Sequence, residues 1–209
     1  MAQAKVKYKG AKYTSPEGRV SWPALFEPTL TYNGRNKGTG EKEFKVDILW
    51  DKKTDLKPFK AKCEEALTEV YGPKAEGKWP KNIIWPFKDQ AESIEYYSNA
   101  NKEVPEHLVA GAMQATFKTA EKNTVIVVGP DMETIMDSKE VYGGCYGKVN
   151  CQIKVNFIPS TKICYVTAYL QGFQKTREGE PFGSRPDAAS MFEPVSNTEE
   201  TSANSLLGD

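Results

Sequence analysis

The sequence predicts a mostly β protein, and three observations carry that prediction. From Cys145 to Phe157 every odd position is small or apolar: Cys145, Gly147, Val149, Cys151, Ile153, Val155 and Phe157. The even positions between them are Tyr146, Lys148, Asn150, Gln152, Lys154 and Asn156. Such a period of two marks a strand with one buried face and one solvated face. After a short PST turn the alternation resumes, with Cys164, Val166, Ala168, Leu170 and Gly172 against Tyr165, Thr167, Tyr169, Gln171, Phe173 and Lys175. The third observation is that strong helical spacing occurs once, early in the chain. Five or six strands with one early helix suggest a single OB-like antiparallel barrel with a long loop excursion, because small and aliphatic inward residues suit the taper of a small barrel. A sandwich is the second choice.

Taken in order, residues 1–17 read as a mobile basic arm. SWPALFEP is apolar and carries two prolines, which fits an edge strand or a strand entry. TYNGRNKGTGEKE is a Gly/Asn-rich turn, and FKVDILW then points Phe44, Val46, Ile48 and Trp50 inward against Lys45 and Asp47. The helix follows: Asp55 can cap it, Pro58 is tolerated in its first turn, and Gly72 can end it. Phe59, Cys63, Ala66 and Val70, with Leu56 and Leu67, form its apolar stripe. Residues 73–110 read as a partly ordered excursion, which Trp79-Pro80 and Trp85-Pro86 pin down. GAMQATFKT and NTVIVV look like two more strands, with a hairpin as one way of joining them. The expected division is an OB-like domain over 1–186 and an acidic tail over 187–209.

Composition narrows the functional classes. The 209 residues are neutral overall, yet the charge is uneven. Residues 187–209 hold Asp187, Glu193, Glu199, Glu200 and Asp209 with no Lys or Arg, which leaves the body with a net charge of +5. Residues 1–62 carry 14 basic against 7 acidic side chains. A mildly basic body with an acidic tail suits a polyanion-binding surface and a detachable competitor for it. Charge alone favours the simpler explanation, an ordinary mixed surface with a disordered terminus. No run approaches the ~18 apolar residues of a membrane span. The polar, basic start lacks the apolar stretch of a secretion signal, so a cytoplasmic location is expected. The four cysteines form no CxxC pair and read as small core residues. With His107 alone and no zinc spacing, a zinc site is not expected. Asp131, Glu133 and Asp137 have a spacing common on solvated loops. VIVVGPD lacks a Gly-rich phosphate fingerprint, and no nucleophile–base motif is present, so no enzyme is expected.

The candidate site lies on the solvated face of the two long strands: Tyr146, Lys148, Lys154, Tyr165, Tyr169, Phe173 and Lys175. Arg177, Lys45 and Arg19 extend it, with Trp22 at the rim of a groove. Rings interspersed with cations suit bases stacking on the rings and phosphates meeting the cations. Tyr and Phe on strands also pack beneath covering elements, which is their commoner role, and the pattern alone leaves both readings open. In the tail, Leu206 and Leu207 beside the Asp209 carboxylate make a segment that can dock on a partner, or occupy the basic groove when that is empty; a frayed end is the alternative.

Several segments together resemble the family of bacteriophage single-stranded DNA-binding proteins with an OB fold, relatives of the coliphage replication proteins. They are SWPALFEP, FKVDILW, WPFKD, the VVGPD stretch through Asp137, EVYGGCYGKVNCQIKVNF and TAYLQGFQKTREGEPFG. The resemblance runs from about Val20 to Phe192. It departs after WPFKD, where a Gly-Asp turn is expected and Gln90-Ala91-Glu92 stands, and in the tail, which ends in LLGD with no terminal aromatic. The resemblance implies sequence-tolerant binding of single-stranded DNA in replication, recombination or repair, without a cofactor. It also favours stacking on Tyr146, Tyr165, Tyr169 and Phe173. Partners beyond DNA would be replication proteins reached through the tail, and self-association is open. The rival readings are an RNA-binding or chaperone OB protein, a protein–protein adaptor acting on host nucleic-acid enzymes, and a small metal-dependent nuclease.

Overall fold

In a computed structural model, residues 5–6, 10–31 and 40–183 are described. The alternating segments form one mostly antiparallel sheet. Its main strands are β3 (Gly18–Leu30), β4 (Lys42–Leu49), β7 (Met113–Ala120), β9 (Tyr146–Ile158) and β10 (Ile163–Arg177). Backbone pairing runs from β9 to β3, on to β4, β7 and β10, and from β10 back to β9. The β7–β10 step is parallel and the other four are antiparallel. The inward set meets inside this circuit: Val20, Val46, Ile48, Phe117, Val149, Cys151, Ile153, Val155 and Leu170 are all fully buried. All four cysteines are buried and none forms a disulfide among the described residues. Burial pushes the Cys63 and Cys151 thiols up to about 12, so they remain inert packing residues.

The expected helix is α1 (Lys57–Tyr71). The Asp55 carboxylate accepts the Lys57 N–H at 2.9 Å, and Gly72, at φ 81°, closes the far end. Phe59, Cys63, Ala66 and Leu67 are buried. Phe59 stacks on Tyr13 with ring centres 5.1 Å apart, and burial of such a ring contributes about 1.5–3 kcal/mol. Tyr13 belongs to β2 (Lys12–Thr14), which pairs with β9, as does the short β1 (Lys5–Val6). The segment expected as a basic arm is therefore, over Lys12–Thr14, a sheet strand locked down by the helix.

One expectation for the neighbours of β3 needs correction. β9 flanks β3 at its start, Gly18–Arg19, whereas over SWPALFEP the strand pairs with β4 alone, as an edge strand does. Its prolines, Pro23 and Pro28, fall where the ladder to β4 is interrupted, which resolves their lack of an N–H donor. The strand β8 (Ile126–Val128) does not fold back on β7 as a hairpin. It pairs in parallel with β10 at Gly172–Gln174.

The excursion is more ordered than its composition suggests. Strands β5 (Asn82–Ile84) and β6 (Phe87–Asp89) join β10 and β7 respectively, and Trp85-Pro86 bridges them. A second helix, α2 (Gln90–Asn99), follows, capped by Asp89, whose Oδ1 accepts the Ala91 and Gly111 N–H groups. Gln90, the first residue of α2, is buried. Its amide donates to the Trp50 and Met113 carbonyls and accepts from the Val109 N–H, tying β4, β7 and the excursion together.

Candidate nucleic-acid interface

The outer face is built by register. In adjacent strands paired positions point to the same side, and three pairings place four residues in one row across the sheet. Lys45 of β4 pairs with Lys118 of β7, Lys118 with Tyr169 of β10, and Tyr169 with Gln152 of β9. Lys154, one outward position further along β9, sets its ammonium group 4.8 Å from the centre of the Tyr169 ring. Tyr165 lies further along β10, opposite Asn156 and Ile84. All of these except the exposed Ile84 are half-buried, with one side on the sheet and one open. Lys118 meets Glu43 at 3.3 Å. It is absent from the sequence-derived set, although its alternation with Phe117 and Thr119 marks it as an outward residue of a strand.

Asp47 lies on the same face, opposite Thr116. Burial raises its carboxyl above the ordinary value, and the Thr116 hydroxyl with Lys45, Lys88 and Lys118 opposes that rise. Its Oδ1 has no hydrogen-bond partner among the described residues. Trp22 is 60% exposed and adopts φ 47° where the β3–β4 ladder breaks between Ser21 and Ala24. A bulky residue in the left-handed region is uncommon, and here it displays the indole to solvent.

Phe173 and Lys175 do not belong to the outer face, which corrects the sequence reading. The β9–β10 register shifts between Leu170 and Gly172, inserting Gln171 as a bulge. One extra residue exchanges the two faces as far as the next register shift, which falls between Lys175 and Arg177. Phe173 is thereby 2% exposed, its ring seated so close over Gly147 that a Cβ there would overlap it. Lys175 turns inward as well, and its buried ammonium pairs with Glu178 at 2.5 Å. The Tyr142 hydroxyl also donates to Glu178 at 2.6 Å, and the two partners hold that carboxyl below its ordinary value. Lys175 is thus an anchor for the chain after β10.

Arg19, Tyr146 and Arg177 come together at another place, where β3 and β9 start and β10 ends. Tyr146 pairs with Arg19 on one side and Arg177 on the other. The Arg177 guanidinium covers the Tyr146 ring at 3.3 Å, so that face is not open for a base. Arg177 is also bound to Glu17 at 3.1 Å. The Glu17 carboxyl is lowered, first by the Thr176 hydroxyl and then by Arg177. The Arg19 guanidinium lies 4.3 Å from the Phe182 ring centre, and Phe182 in turn stacks on His107 at 3.7 Å. Lys148, on the outer face of β9, stands opposite Gln174 and close enough to Glu17 to help lower its carboxyl. The tail residues Leu206, Leu207 and Asp209 lie outside the described residues.

Comparison with known proteins gives a consistent family. Residues 12–203 match the family described as Enterobacter phage Enc34, ssDNA-binding protein. Among solved structures, the chain is similar to the single-stranded DNA-binding protein from bacteriophage Enc34 in complex with ssDNA, at 19% identity and a TM-score of 0.57, covering 86% of this chain and 96% of that one. It is also similar to gp2.5, a single-stranded DNA-binding protein encoded by bacteriophage T7, at 15% identity and a TM-score of 0.58, covering 91% of this chain and all of that one (100%). No curated protein matches the chain.

Proposed function

This chain belongs to the family of the Enterobacter phage Enc34 ssDNA-binding protein, and on that premise we propose that it binds single-stranded DNA with little sequence preference during phage replication, recombination or repair. The observation that carries the reading is the row Lys45, Lys118, Tyr169 and Gln152 with Lys154 over the tyrosine. Cations spaced across a sheet suit successive phosphates, and a half-open ring among them suits a base; stacking contributes about 1–3 kcal/mol per base. In duplex DNA the base faces are already stacked, so this surface prefers single strands.

The closed circuit of pairings supports an OB-like barrel, a fold whose central strands form an oligonucleotide-binding face. In this reading the path uses Lys45, Lys118, Lys154, Tyr165 and Tyr169, with Trp22 beside it and Lys148 towards its far end. No catalytic step is assigned, and the place of action is the host cytoplasm. The tail acts as a competitor for the groove and as a contact for replication proteins.

The test is fluorescence anisotropy of a labelled oligo-dT with the intact protein and with a version ending at Pro186. Tight, salt-sensitive binding that strengthens without the tail supports both parts of the proposal. Preference for a matched RNA would move the reading to an RNA-binding protein. No binding by either version at low salt would leave the adaptor reading.

A further inference from the structure

Between the starts of β3, β7 and β9 and the ends of β4 and β10 lies a cavity of about 650 Å³. Four cations line it, Arg19, Lys52, Lys53 and Arg177, against two carboxylates, Glu17 and Asp51. Both carboxylates are already engaged. Glu17 binds Arg177 and the Thr176 hydroxyl, and Asp51 accepts the Lys53 N–H and the Thr54 hydroxyl.

Arg19 is the distinctive member. Its guanidinium lies over Phe182 at 4.3 Å and within 5.8 Å of the Tyr146 ring. Its Nε and Nη2 donate to the carbonyls of Gly144 and Glu180, at 3.3 and 2.5 Å. Both acceptors are neutral, so these bonds fix the group without cancelling its charge. A stacked, immobilised guanidinium loses little freedom on meeting an anion, which is the arrangement that favours phosphate recognition. His107 is stacked on the other ring face, and burial and then Arg19 lower its basicity. Its Nε2 has no partner among the described residues.

The covered ring faces leave little for a base to stack on, so the cavity selects for charge. We propose that it is a second phosphate-binding site, taking the terminal phosphomonoester of a DNA strand between Arg19 and the Lys52–Lys53 pair. The two cations in excess match a doubly charged monoester better than a singly charged internal diester. The inference rests on the single-stranded DNA reading and adds an end-binding function to it.

The experiment compares oligo-dT bearing a 5′-phosphate, a 3′-phosphate or neither, each labelled at the other end, by anisotropy with the full chain. The expected result is roughly tenfold tighter binding of one phosphorylated form, the scale of one or two charge-assisted hydrogen bonds. The double variant Lys52→Gln/Lys53→Gln alters two exposed side chains; it should remove most of that preference and keep the affinity for the unphosphorylated strand. Arg19→Gln should remove it too, with thermal melting to confirm folding. Equal binding of all three oligomers by the unaltered protein, or a preference that survives the lysine variant, overturns the end site alone. Failure of every oligomer to bind at low salt overturns the parent reading, and the end site with it.

Discussion

Lys154 of β9 holds its ammonium group 4.8 Å from the centre of the Tyr169 ring of β10. The contact puts a cation beside a half-buried aromatic ring, the pair on which the proposed DNA path depends. Tyr169→Ala should weaken binding of oligo-dT by about 1–3 kcal/mol, or roughly 5- to 150-fold. Because the ring is half-buried at the surface, the melting temperature should scarcely move. Anisotropy and thermal melting on the same sample separate the two effects.

Phe173→Ala should do the opposite. The ring is 2% exposed and packed over Gly147, so its removal should destabilise the fold by about 3–5 kcal/mol. Urea denaturation measures this. Full stability with lost DNA affinity would restore Phe173 to the outer face and contradict the bulge.

Asp47→Asn should stabilise the protein at neutral pH, on the order of 1 kcal/mol. Burial raises the folded-state pKa of Asp47 above 3.8, so the folded chain holds the proton more tightly than the unfolded one. The favourable contribution is present below the unfolded value and is lost as pH rises through the folded one. Asparagine keeps the shape without the buried charge. Melting temperatures of the two proteins should differ most near pH 7 and converge as pH approaches 3.8.

His107 gives the reverse sign. Its folded pKa is lowered below 6.5, by burial first and Arg19 second. Stability from the neutral ring is complete above that value and declines as pH falls from 6.5 toward the folded pKa. His107→Gln should flatten the melting curve between about pH 7.5 and 5.5, the region where histidine alone titrates.

The strands β4, β9 and β10 were legible because their segments alternate apolar and polar residues, and α1 because its stripe, Asp55 and Gly72 agree. What the alternation could not reveal was a change of phase. Gln171-Gly172 holds the only local hint, since an isolated glycine in a strand often marks a bulge, and missing it inverted Phe173 and Lys175. The helix α2 escaped because its sequence, QAESIEYYSN, buries only Gln90 and so lacks an apolar stripe. Arg19, Tyr146 and Arg177 are far apart in sequence and meet only through the register of three strands. Their clustering with Phe182 was therefore beyond pattern reading, whereas Lys118 was within its reach and was passed over.

The most direct test of the outer-face reading is the salt dependence of oligo-dT binding by the unaltered protein and by Lys45→Gln/Lys118→Gln/Lys154→Gln. For single strands each neutralised phosphate adds about −0.7 to the slope of log K against log salt concentration. Tight, salt-sensitive binding is expected of the unaltered protein, and a slope shallower by about 2 with lower affinity in the triple variant. Equal slopes and affinities for two equally stable proteins would contradict a DNA path across this face.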